Sequence, residues 1–175
     1  MIVPVQYNPQ DYGTDFKNII QDPYTVCMFA ENLECLIHSI EGKVVKPGGG
    51  TACVRGEPNA SPIPTGFREG GFTSLQQKVN FKDDNFIVMD LINHCFEGLR
   101  TKIRANRNTF RKVVYSADAD GRWSCGIFTV GDEVLDYITK KIEELNNDKE
   151  FLDWFVQTSD IRKMDNFDSF FSRAP

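Results

Sequence analysis

The chain reads as an α/β domain, in a three-layer α/β/α arrangement, on three observations. Short β-branched and aromatic runs, "YTVCMFA" at 24–30 and "KVVYSA" at 112–117, have the character of buried strands. Two other stretches space their apolar residues by three and four, which marks helices with one buried face. The two kinds of segment alternate along the chain, with no internal repeat or low-complexity tract between them.

Taken in order, the first strand lies between Asp22-Pro23 and Glu31-Asn32. The next run, "ECLIHSI", suits a short helix or a second strand, and its periodicity does not choose between them. "TACVRG" is small enough for one helical turn. "SPIPTGF" reads as a short strand whose prolines confine it to a sheet edge or a strand end. From Asp84 onward the pattern turns helical, with Val88, Leu91, Ile92, Cys95, Leu99 and Ile103 on one stripe. After the strand at 112–117 comes the polar loop "DADGRW", and a further helix is expected to start with Asp132 as its N-cap. Val134, Ile138, Ile142 and Leu145 share one face of that helix. Residues 1–145 therefore form the main domain. Residues 146–175 form a helical, aromatic-rich extension packed on it, with a candidate helix in "DKEFLDWFVQ". Its Phe151, Leu152, Trp154, Phe155, Phe167, Phe170 and Phe171 serve packing, or self-association and protein contact wherever a patch stays exposed.

Bulk properties narrow the function classes. A chain of 175 residues with 41% apolar content suffices for one domain with a continuous core. The net charge of −5 argues against a nucleic-acid binder, whose surface is normally basic. The single basic cluster, "RTKIRANRNTFRK" at 100–112, is a solvated helix end and loop, or else a phosphate-facing patch. Five widely spaced cysteines without a leading signal segment predict reduced thiols and a cytoplasmic location. No apolar run approaches the ~20 residues that cross a bilayer. Cys35-x-x-His38 and His94-Cys95 lack the paired cysteines of a closed zinc site, so no structural zinc is expected, and no residue pattern calls for an organic cofactor.

The stretch "KPGGGTACVRGEPNASPIPTGF" holds the strongest functional signal. Gly48, Gly49 and Gly50 precede a helical turn, and consecutive amides in such a place can cradle an anion. A flexible hairpin or surface loop is the plain alternative. The loop is neither a P-loop nor a dinucleotide fingerprint, because the Gly-Lys-Ser/Thr and G-x-G-x-x-G spacings are missing. A second glycine-bearing loop, "SCGIF" at 124–128, could face the first across a diphosphate. Arg55 could pair with phosphate, or with Glu57 or another carboxylate. Asp118 and Asp120 could hold Mg²⁺ or act as acid and base, or could simply build a turn. Trp123 beside them could stack on a base or cover the core edge.

In order, the pieces "VCMFAEN", "KPGGGTACVRG", "PIPTGF", "LINHCFEGL", "KVVYS" and "SCGIFTVGDEV" resemble those of macrodomains, the ADP-ribose-binding modules, over residues 24–145. The resemblance implies a three-layer α/β/α single domain with a mixed sheet. It implies that Gly48–Gly50 take phosphate through their amides and that Ser124, Cys125, Gly126 and Ile127 close over the other side of the diphosphate. Phe128 would then pack on the distal ribose, and Asn32 would take the place of the Asn that bonds that ribose in hydrolytic members. Cys125 and Phe128 stand where the family has Thr and Tyr, and no residue matches the Asp that reads adenine. The segment 48–66 also resembles one in small uncharacterised tailed-phage proteins, whose compartment would be the host cytoplasm.

Three functions compete on this reading. The first is a module that binds ADP-ribose or a related nucleotide diphosphate, with or without ADP-ribosyl hydrolysis. The second is a non-enzymatic accessory protein that works through protein contacts on a degenerate macrodomain scaffold. The third is a small phosphoesterase using Asp118 and Asp120 with Mg²⁺.

Overall fold

The computed structural model describes residues 1–6, 14–68, 70–124 and 128–157. In chain order the elements are β1 (Ile2–Gln6), α1 (Thr14–Ile19), β2 (Thr25–Asn32), α2 (Leu33–Ile40), a 3-10 turn (Gly50–Val54), β3 (Ala60–Phe67) and β4 (Gly70–Gly71). They continue with β5 (Lys78–Phe81), β6 (Asp84–Ile87), α3 (Val88–Ala105), β7 (Lys112–Ala117), α4 (Asp132–Asn146) and α5 (Lys149–Leu152). The main sheet has the order β1-β7-β2-β3-β4. Its first four strands are parallel and β4 is antiparallel, so the sheet is mixed.

β2 is the central strand, and its alternation explains where the cores lie. Val26 and Met28 join one apolar cluster with Val113, Tyr115, α3 and α4. Cys27 and Phe29 join another with Val114, Phe16, Ala52 and Val54. Successive strand residues point to opposite faces, so a strand buried on both faces is apolar throughout. That is what "TVCMFA" spells.

The two prolines of β3 sit where the ladder needs no donor. The Cys27 amide donates to the Asn59 carbonyl at 2.9 Å, so odd-numbered β3 residues turn their polar groups toward β2. Pro62 and Pro64 face the other side, beyond the two-residue reach of β4, which pairs only with Gly66 and Phe67. β3 is therefore a full eight-residue strand with one mostly open edge rather than a short one.

Two helix starts differ from the periodicity. Residues 84–87, expected to be helical, form β6, which pairs with β5 through a tight turn carrying Lys82 at φ 56°. The helix begins at Val88, whose amide donates to the Gln77 carbonyl at 3.1 Å, and Met89 donates to Leu75 at 3.0 Å. A neighbouring chain segment thus satisfies the first amides of α3 without a side-chain cap. For α4 the N-cap is Gly131, not Asp132. The Asp132 carboxylate instead pairs with Arg122 at 2.9 Å.

The end of the described chain belongs to the same core. Phe151, Trp154 and Phe155 are buried with α3 and α4 residues, and the Asn146 side chain bonds both the amide and the carbonyl of Ile2 at 2.8 Å. α5 is one turn long, capped by Asp148. Phe167, Phe170 and Phe171 lie outside the described residues. Part of the basic cluster packs on these aromatics, while Arg104 and Lys112 are exposed. Arg100 and Arg107 lie over Trp154, Arg100 pairs with Asp148 at 2.5 Å, and Lys102 donates to the carbonyls of Pro58 and Ala60. Among the described residues, no helix is long and apolar enough to cross a membrane.

Burial pushes the thiols of Cys27 and Cys95 up to about 12. The folded chain therefore keeps protons that the unfolded chain releases near pH ~8.5, so stability falls as pH rises from there toward 12. Iodoacetamide at pH 8 should label the half-buried Cys35 while sparing Cys27 and Cys95 until the protein is unfolded. Equal labelling rates at all three positions, read by peptide mass spectrometry, would contradict the packing of both cores.

Candidate functional site

β2 and β3 end side by side, and the chain beyond them builds a small cleft at their carboxyl ends. Open α/β sheets commonly hold ligands in this position. At the end of β2, Asn32 caps α2: its Oδ1 accepts from the Glu34 amide at 2.9 Å and its Nδ2 donates to the Arg68 carbonyl at 3.0 Å. The residue predicted to bond a ribose is thus also a structural cap.

The glycine loop is clamped to β2 from above. Thr51 Oγ1 accepts from the Ala30 amide at 3.1 Å, and the Gly48 amide donates to the Ala52 carbonyl at 3.0 Å. Gly50 enters the 3-10 turn at φ 57°, a conformation that disfavours a side chain. The amides of Gly49 and Gly50 find no acceptor among the described residues. Gly48 and Gly49 are exposed and Gly50 is buried.

Beneath this loop lies a buried ion pair. Arg55 donates through Nε to Glu31 Oε2 at 2.7 Å and through Nη2 to Glu31 Oε1 at 2.5 Å. Its Nη1 donates to the Lys46 carbonyl at 2.5 Å. Glu31 Oε1 also accepts from the Asn32 amide at 2.7 Å. The Glu31 side chain is 2% exposed and that of Arg55 12%. These bonds raise the guanidinium pKa above its ordinary value, the Glu31 hydrogen bonds contributing most. A Cβ on Gly48 would lie 3.2–3.3 Å from the guanidinium nitrogens, so the loop rests directly on the Arg55 fork. Of the two alternatives for Arg55, the carboxylate pairing is the one observed. Its partner is Glu31, not Glu57.

Asn32, Gly48, Gly49 and Arg55 line one cavity of about 160 Å³ together with Phe128, Ala30, Ala52 and Thr65. Five residues singled out from sequence thus meet in one place. Ser124 does not line the cavity, and its amide donates to the Ser116 carbonyl at 3.0 Å as part of the pairing with β7. Cys125, Gly126 and Ile127 lie outside the described residues. Asp118 and Asp120 form a turn after β7 and do not line the cavity. Asp118 Oδ1 accepts from the amides of Asp120 and Arg122, each at 3.0 Å. Trp123 is buried and stacks on Tyr115 with ring centroids 5.9 Å apart, covering the core. Among the described residues, no three His, Cys, Asp or Glu side chains cluster closely enough to hold a metal ion.

The sequence reading missed Glu31 and Thr65. A lone carboxylate at the end of an otherwise apolar strand signalled the first, since such a group must find a cation once buried. Compared with known proteins, the chain matches no family model, no curated protein and no solved structure.

Proposed function

We propose that this protein is a macrodomain-like α/β/α module that binds ADP-ribose or a related nucleotide diphosphate at the carboxyl ends of β2 and β3. One observation carries the reading: Asn32, Gly48, Gly49 and Phe128, placed by the resemblance on one ligand, line one cavity. The Gly49 amide, which has no acceptor among the described residues, offers a donor for a phosphate oxygen, whereas the Gly48 amide is spent on Ala52 and the buried Gly50 does not line the cavity. Arg55 adds little net charge, because Glu31 neutralises it. At about 160 Å³ the cavity is smaller than the ~300–1,000 Å³ that encloses a whole drug-sized ligand. It suits one sugar-phosphate end, with the remainder lying on the open surface. Binding is favoured over turnover, because Asp118 and Asp120 stand outside the cavity and Arg55 is committed to Glu31.

Isothermal titration with ADP-ribose tests the reading. The native protein should give a saturable heat. Gly49→Val, which adds a branched side chain at a residue lining the cavity, should weaken binding by more than about ten-fold, or ~1.4 kcal/mol. No heat with ADP-ribose, ADP or other adenine nucleotides would remove the proposal.

Contact with a protein partner is the second reading, and one observation favours it. An apolar groove of about 330 Å³ runs between α2, α3 and β6, with Ile40 on its rim 65% exposed, and nearby in sequence Val44 is 97% exposed. On that reading Gly49→Val leaves the biological activity intact.

A further inference from the structure

The geometry points to Thr65 as a ligand-contacting residue, its hydroxyl meeting a phosphate or sugar oxygen at the floor of the cavity. Three independent observations converge on it. Thr65 is fully buried, yet its Oγ1 has no hydrogen-bond partner among the described residues. Buried hydroxyls almost always find one, and leaving one unpaired is costly. Thr65 also lines the cavity, facing the same space as Gly48, Gly49 and Phe128.

The third observation is the ladder between β2 and β3. Glu31 pairs with Pro64, but the next residue, Asn32, pairs with Gly66. Thr65 is the extra residue, a β-bulge at the end of the strand. Bulges re-aim a side chain and concentrate beside binding sites. The backbone of Thr65 is held in place independently, since its carbonyl accepts from the Phe72 amide at 2.8 Å. The fold thus anchors the main chain at this position and leaves the hydroxyl without a partner among the described residues.

A threonine needed only for packing would be served as well by valine, which has the same shape and no polar atom. The hydroxyl can donate to a phosphate oxygen or accept from a sugar hydroxyl, and it carries no charge of its own. It therefore discriminates by the presence of a correctly placed oxygen. A site built around such a group rejects ligands lacking that oxygen, because the buried hydroxyl then stays unpaired. This inference rests on the nucleotide-diphosphate reading and names a contact within that site.

Thr65→Val and Thr65→Ser test it, each measured by thermal melting without ligand and by titration with ADP-ribose, ADP and ribose 5-phosphate. Thr65→Val should melt no lower than the native protein, yet bind at least about ten-fold more weakly. Thr65→Ser, which keeps the hydroxyl, should bind within about three-fold of native. Comparing ADP with ribose 5-phosphate tells a diphosphate oxygen from a sugar-end contact, because the valine penalty persists only for the fragment that reaches Thr65. A native protein that binds while Thr65→Val binds equally well overturns the Thr65 assignment and leaves the nucleotide reading standing. A melting point several degrees lower for Thr65→Val also overturns it, by showing that the hydroxyl is bonded within the protein. Absence of binding by the native protein to all three probes sinks the nucleotide reading and the assignment with it.

Discussion

Gly131→Ala should destabilise the protein by about 3 kcal/mol or more, and Gly71→Ala should do the same. A Cβ on Gly131 would stand 2.1 Å from the Thr73 carbonyl oxygen, and one on Gly71 would stand 2.2 Å from that of Thr129. Both obstacles are main chain, so no rotamer change relieves them. Neither glycine has a positive φ, and Gly131 sits at φ −61°, which any residue adopts. The penalty is therefore purely one of close approach. The Gly131 amide also donates to the Phe72 carbonyl at 2.8 Å, and the Phe72 amide to that of Thr65, so the 128–131 segment is laced onto the end of β3. Pushing these chains apart moves Phe128 away from the cavity, and on the proposed function affinity for ADP-ribose should fall along with stability. In a chain of this size 3 kcal/mol corresponds to a fall in Tm of about 6–12 °C. Gly98→Ala supplies a control of opposite sign. Gly98 is exposed in the interior of α3, and an added methyl would meet nothing within 4 Å, so the substitution should stabilise by about 0.5–1 kcal/mol. If all three alanines leave Tm unchanged, the chains do not approach one another this closely at Gly71 and Gly131.

These glycines show which parts of the molecule are legible from sequence. The stripe of Val88, Leu91, Ile92, Cys95, Leu99 and Ile103 is a local pattern, and all of it is buried except Leu91, which is partly buried against the same core. The apolar runs of β2 and β7 likewise announce strands covered on both faces. Gly48–Gly50 stand out because they are contiguous. Gly71 and Gly131 do not stand out, because their role arises only when residues about 60 positions apart come within van der Waals contact. The β5–β6 hairpin was hidden for a related reason, its Lys82-Asp83 turn lacking the Asn-Gly or Asp-Gly pair that advertises such turns. Asp118 and Asp120 are the converse case. Their spacing suits both metal binding and turn formation, and the bonds from the Asp120 and Arg122 amides show the turn. Glu31 needed its partner, Arg55, to be understood, and they meet across 24 positions.

That pairing yields the second large effect. Glu31→Ala should cost about 3–5 kcal/mol, because it leaves the Arg55 guanidinium buried without its counter-charge and removes the acceptor of the Asn32 amide. Set against a total of about 5–15 kcal/mol, the loss brings the protein close to unfolding. Coulomb attraction in so shielded a place is weakly screened, so the loss should persist at 1 M salt, unlike that of an exposed pair. Replacing both partners gives a different outcome. Glu31→Leu with Arg55→Met removes the two charges together, and stability should return to within about 1–2 kcal/mol of native. The double variant nonetheless lacks the bond from Arg55 to the Lys46 carbonyl and the planar fork on which Gly48 rests. A stable double variant that no longer binds ADP-ribose would assign the pair to holding the glycine loop in shape. A double variant that binds like the native protein would show that the loop keeps its conformation unaided, and the ion pair would then be a matter of folding alone.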